Sequence, residues 1–245
     1  MEIIITEEWL ESHRADEEEI KYICKEGLIG LSASDFTKKI INLNKIDHKK
    51  WFYYANWLIT SVMSQKSRVQ YAVFAADEVL PIFERRFSAD VNPRKAVEAA
   101  KKYIIYPTKE NAASANDAGH MALGSSAFAK HKYTDNETSP PVYFDAENTA
   151  LAAAYAAYAA FAAPAVFFEA AENTALAAAY AAFAAPADAK NAELSAIRAA
   201  FHAARAASLF TYTADYNSGA DDAAIVAFED MFKKILSYGL TLIEK

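Results

Sequence analysis

Asp77 and Glu78 stand side by side in a stretch that also carries Glu84, Arg85, Arg86, Arg94 and Glu98. Two neighbouring carboxylates in unlike surroundings could divide acid and base work between them. The plainer reading is an ion pair, because a half-buried carboxylate needs a partner, and Arg85, Arg86 or Arg94 could supply it. Asp77, Glu84, Arg85 and Arg94 are therefore the binding candidates of this region. A second candidate is the acidic run Glu17, Glu18 and Glu19, which would draw in a basic partner through charge complementarity.

Other chemistry has less support. His13, His48, His120, His131 and His202 fall in no metal-ligand spacing, and one cysteine, Cys24, cannot build a zinc site. We therefore expect no metal and no cofactor. Gly124-Ser125-Ser126 lacks the second glycine and the preceding strand of a nucleophile elbow, so no catalytic residue is assigned. Lys38, Lys39, Lys45, Lys49 and Lys50 precede Trp51, Phe52, Tyr53 and Tyr54, a mixture that nucleic-acid binders use. Four consecutive aromatics opening a helix must partly serve the core, and that disfavours nucleic acid as the partner.

The net charge of −7 points the same way, since an acidic chain is repelled by phosphates and anionic lipid. That charge is unevenly spread. Residues 2–26 hold nine acidic and three basic side chains, residues 38–110 seven and fourteen, and residues 133–189 seven and none. The single cysteine excludes an intrachain disulfide. The opening residues Met1 to Glu8 have no basic region and too short an apolar run for a signal peptide, which reads as cytoplasmic.

The elements that must position these residues are helices. Only 6 Gly and 7 Pro argue against a turn-rich β fold, and the 13% aromatic content supplies core material. Thr6 can cap a first helix, Asp16 a second that stops at Gly27, and Ser34 opens a third. Asp47 precedes a fourth, with Trp51, Tyr54, Leu58 and Val62 at helical spacing. Val69, Ala72, Val73, Ala76, Leu80, Phe83 and Phe87 mark a fifth, from about Gln65 to Phe87, bent but unbroken at Pro81. Asn92 and Pro93 read as cap and first residue of a sixth, ending before Pro107. A seventh runs from Thr108 to about Lys130, weakened by Gly119 and Gly124.

A polar linker at 131–142 divides a region 1–130 from an alanine-rich region 143–245, which we expect to pack on the first. The second region contains a repeat: Ala146–Ala157 and Ala171–Ala182 are identical, and each leads to Phe-Ala-Ala-Pro-Ala, the first after three extra residues, Tyr158-Ala159-Ala160. Another alanine-rich helix follows Asp188, then a loop Thr211–Gly219, then a last helix from near Asp221 that ends before Gly239. The uncharged run 148–168 has the length of a membrane span, but its alanines and Pro164 argue for soluble packing and no membrane. The expected fold is all-α: a bundle of about nine to ten helices with close-packed, alanine-rich C-terminal helices.

Several segments resemble one family. Thr6-Glu7-Glu8-Trp9-Leu10, Tyr54-Ala55-Asn56-Trp57-Leu58-Ile59 and the run Arg68 to Asp77 are similar to a family of helical immunity proteins. So are Val79 to Glu84 and Asn92 to Ala100. Such proteins occur near bacterial toxin–immunity loci and in phage genomes, and they too trail into alanine-rich helices. The specific match covers residues 1–106. Where the family has Arg-Pro-Arg this chain has Asn92-Pro93-Arg94, so any role of the first arginine is lost. The resemblance implies a non-enzymatic inhibitor that covers a toxin, a nuclease or a defence effector, in the host cytoplasm if phage-encoded. Two other readings stay open. One is a small-ligand sponge or enzyme with a pocket around Asp77, Arg85 and Arg94. The other is a structural or virion-associated protein that self-assembles as a homo-oligomer.

Overall fold

The computed structural model describes residues 3–12, 15, 17–42, 48–134, 176–185, 189–214 and 220–244. Among them the protein is an all-α, multi-helix bundle without a β-strand. Thr6 Oγ1 accepts the amide of Trp9 at 3.1 Å and so caps α1 (Glu7–Ser12), as its residue type anticipates. α2 (Glu17–Lys25) stops at Gly27, whose φ of 64° is a conformation that side chains with a Cβ resist. The chain then returns beside its own start. Ile5 donates to Leu31 O and Ala33 to Ile3 O, forming an isolated antiparallel bridge at Ile4 and Ser32 that seats Ile5 fully in the core.

α3 (Ala33–Ile41) is capped by Ser32, whose hydroxyl accepts the amide of Asp35. The expected opener, Ser34, lies inside the first turn with its hydroxyl turned elsewhere. α4 (His48–Val62) and α5 (Gln65–Arg86) are joined by a short turn in which Ser64 caps α5. α5 continues through Pro81. Pro81 is exposed, so the bond its missing amide removes lies on the solvent side, where water can replace it. α6 (Asn92–Ile105) has Pro93 in its first turn, but Asn92 does not cap it. Its amide donates to Asp90 Oδ1, and its side chain reaches Ser125 on α7 (Lys109–Thr134). α7 runs past the expected boundary into residues 131–134; the remainder of that linker and the first repeat copy lie outside the described residues.

The described part of the second repeat copy is helical over 176–183, here α8. α9 (Ala189–Ala214) and α10 (Ala220–Ile243) complete the bundle. α9 thus takes in residues expected as loop, and α10 does not stop at Gly239. α5 is central, packed against α6, α9 and α10, while α4 lies on α9 and α10 and α7 on α6. Tyr71, Phe36, Phe83, Phe232 and the aliphatic residues around them are fully buried, each contributing on the order of 1.5–3 kcal/mol. Ala72, Ala75 and Ala76 on α5 and Ala196, Ala199, Ala200 and Ala203 on α9 are also fully buried, small side chains that let these two helices approach closely.

One buried polar network locks this arrangement. Tyr71 OH donates to Asn56 Oδ1 at 2.9 Å, and Asn56 Nδ2 donates to Ile197 O on α9 at 3.2 Å. Burial raises the Tyr71 phenol far above its ordinary pKa, so it remains a donor. Arg68, 7% exposed, donates from Nε to Thr60 O at 2.8 Å and from a terminal nitrogen to Ser61 O at 3.1 Å. Its charge therefore sits on the carbonyl end of α4, where the helix dipole favours a cation.

Candidate functional site

Asp77 and Glu84 lie two turns apart on α5, and Arg94 and Lys101 lie two turns apart on α6. The helices run antiparallel, so the first of one pair faces the last of the other. Lys101 Nζ stands 2.8 Å from Asp77 Oδ2 and 3.0 Å from Glu98 Oε1. Arg94 binds Glu84 at two points, Nε to Oε1 at 2.6 Å and a terminal nitrogen to Oε2 at 2.7 Å. Glu78 pairs with Lys234, tying α5 to α10. Among the described side chains the partner of Asp77 is thus Lys101, and neither Arg85 nor Arg94. Arg94 is engaged by Glu84, Arg85 is exposed on α5, and the side chain of Arg86 lies outside the described residues.

The electrostatics follow from these contacts. Partial burial opposes the charge on Lys101, but the hydrogen bonds and charges of Asp77 and Glu98 outweigh it and raise its pKa. The hydrogen bond that Arg94 donates to Glu84 likewise raises the Arg94 pKa, against a smaller burial effect. The seam is therefore a row of satisfied, half-exposed charge pairs, each individually a weak contributor to stability.

The acidic run is on α2. The Glu17 side chain is 92% exposed, with Lys21 one turn on at 3.5 Å. On another face of the same helix Ile23 is buried in the core. The side chains of Glu18 and Glu19 lie outside the described residues.

Sequence reasoning passed over a third polar site. Ser34 Oγ donates to Glu244 Oε1 at 2.7 Å, and Lys38 Nζ lies 2.6 Å from the same oxygen. These residues border a cleft of about 590 Å³ between the start of α3, the α4–α5 turn and the end of α10. Ser34 and Lys38 are one helical turn apart, a spacing visible in the sequence, but their partner is 206 positions or more away and no local pattern points to it. Among the described residues no group of three or more His, Cys, Asp or Glu is placed to hold a metal, and no helix is long and apolar enough to cross a membrane. The run 148–168 lies outside them.

No family model, curated protein or solved structure matches the chain. The resemblance to immunity proteins rests on the residues named for it, and many of these are scaffold. Trp9 packs on Trp57 with ring centroids 5.8 Å apart, Asn56, Arg68 and Tyr71 form the buried network, and Leu58, Val79 and Leu80 are core. Among the described resembling residues, Asp77, Glu84, Arg94 and Glu98 reach solvent through charge pairs.

Proposed function

We propose that this is a non-enzymatic binding protein that neutralises a basic protein partner by covering its surface, as an immunity protein or a phage-encoded inhibitor of host defence does. The observation that carries the reading is the outward presentation of Glu17 on α2, a helix anchored by Ile23, with Glu18 and Glu19 following it in sequence. Acids on a fixed helix speed association with a cationic surface without needing a pocket. The ligand-pocket reading around Asp77, Arg85 and Arg94 comes second, because Asp77, Glu84 and Arg94 are already matched to partners within the chain.

The test is a low-salt pull-down from bacterial host lysate, comparing the natural protein with a Glu17→Lys, Glu18→Lys, Glu19→Lys variant. The expected result is a basic partner whose recovery fades with added salt and with charge reversal. Recovery of nothing at low salt, or of the same partner by both proteins, counts against the reading.

A further inference from the structure

We propose that the cleft between α3, the α4–α5 turn and the end of α10 is a subsite for a carboxylate carrying a short apolar chain, and that Glu244 is its resident occupant. The Glu244 carboxylate is seated by two donors. Ser34 and Lys38, one turn apart on α3, converge on a single oxygen of Glu244, a hydroxyl at 2.7 Å and an ammonium at 2.6 Å. Those two donors and the bound carboxylate together form a recognition unit of the kind a free carboxylate would meet. Both contacts hold the Glu244 carboxyl below the usual carboxylate range, with the Lys38 hydrogen bond the larger.

Open space lies beside that carboxylate. The cleft has a volume of about 590 Å³, within the usual range of small-molecule sites. Ile3, Val62 and Leu242 give it an apolar wall, so a hydrocarbon chain attached to the carboxylate finds a surface to cover. The field in the cleft is mixed. The capped first turns of α3 and α5 both border it and favour an anion, while the nearby Asp35 opposes one. Lys38 therefore decides the sign of the ligand.

The occupant is also free of the helix proper. Glu244 follows the last helical residue of α10, Ile243, and its side chain is 45% exposed. An incoming carboxylate can replace it at Ser34 and Lys38 without disturbing the core.

The experiment titrates hexanoate, hexylammonium and inorganic phosphate into the natural protein and a Glu244→Ala variant, by calorimetry and ligand-observed NMR. Removing the internal competitor should tighten hexanoate binding by at least about tenfold, the worth of one charge-assisted contact. Adding Lys38→Met to that variant should abolish the gain, with phosphate weaker than hexanoate throughout. Circular dichroism and Tm establish that each variant is folded, and Glu244→Gln serves if Glu244→Ala is not. Equal hexanoate affinity with and without Glu244 overturns the proposal, as does tighter binding of hexylammonium. Phosphate binding as tightly as hexanoate overturns the apolar part of the ligand assignment.

Discussion

Gly239 on α10 meets the ring of Tyr71 on α5 so closely that a Cβ at that position would stand 2.7 Å from Tyr71 Cε2 and 2.8 Å from Ile59 Cδ1. A glycine near the end of a helical pattern reads as a stop signal, yet α10 continues past it to Ile243. The residue is small because three helices converge there.

Gly239→Ala should therefore destabilise the protein despite alanine's better helix propensity. Overpacking costs about 1–3 kcal/mol against a propensity gain of about 1 kcal/mol, so a net loss of up to about 2 kcal/mol is expected in urea unfolding. Gly124→Ala is the matched control. Gly124 is exposed on α7 with nothing within 4 Å of a new Cβ, and the same substitution there should stabilise by about 0.5–1 kcal/mol. Equal effects at the two sites would show that the Tyr71 contact has no energetic weight.

The same comparison shows what could be read ahead of the structure. Helical periodicity locates α4 and α5 because their large residues recur every three or four positions, Pro93 and Pro107 bracket α6, and Thr6 and Gly27 are legible because capping is local. Gly119 misled as Gly239 did. It looks like a weak point in α7, and it is where Phe183 Cε1 of α8 would lie 2.5 Å from a Cβ. Asn92 looks like a cap, but Asp90 and Ser125 take its polar groups. At the site, the cluster of acids and bases was legible, and the pairing was not. Asp77 meets Lys101 because α6 doubles back on α5, a tertiary fact that spacing along one helix does not encode.

Arg68 should be among the costliest polar residues to remove. Its substitution by Met would keep much of the packing and release the carbonyls of Thr60 and Ser61, which a buried cation now satisfies. The expected loss is about 2–4 kcal/mol in chemical denaturation. Arg68→Lys should recover only part of it, because one ammonium does not reproduce the two-pronged reach of a guanidinium. Full rescue by lysine would mean that charge alone matters at this position.

Tyr71→Phe tests the link between α4, α5 and α9. The substitution leaves the ring and deletes the donor to Asn56 Oδ1, so a buried acceptor loses its partner at a cost of about 1–3 kcal/mol. Asn56→Ala also releases Ile197 O on α9 and should cost more. In the double variant the two losses should fall short of their sum, because both act through one network. Strict additivity in that cycle would rule out coupling through Asn56.

His202 on α9 should make stability depend on pH below neutrality. Its ring lies nearly parallel to Tyr180, at 8° and 5.5 Å between centroids. Burial, then the positive charges of Arg205 and Arg198, lower its pKa to about 4. The folded chain therefore resists protonation while the unfolded chain takes up a proton near 6.5. Above that pH both states are neutral and the contribution is complete. As pH falls from about 6.5 towards 4, the unfolded state gains the proton first and stability drops by on the order of 2–3 kcal/mol. His202→Phe keeps a ring against Tyr180 and removes the titration, so its Tm should fall less than that of the natural protein between pH 7 and pH 5. That interval lies above the range in which most carboxylates titrate, so it isolates the imidazole. Parallel Tm curves for the two proteins across it would place the His202 ring in water.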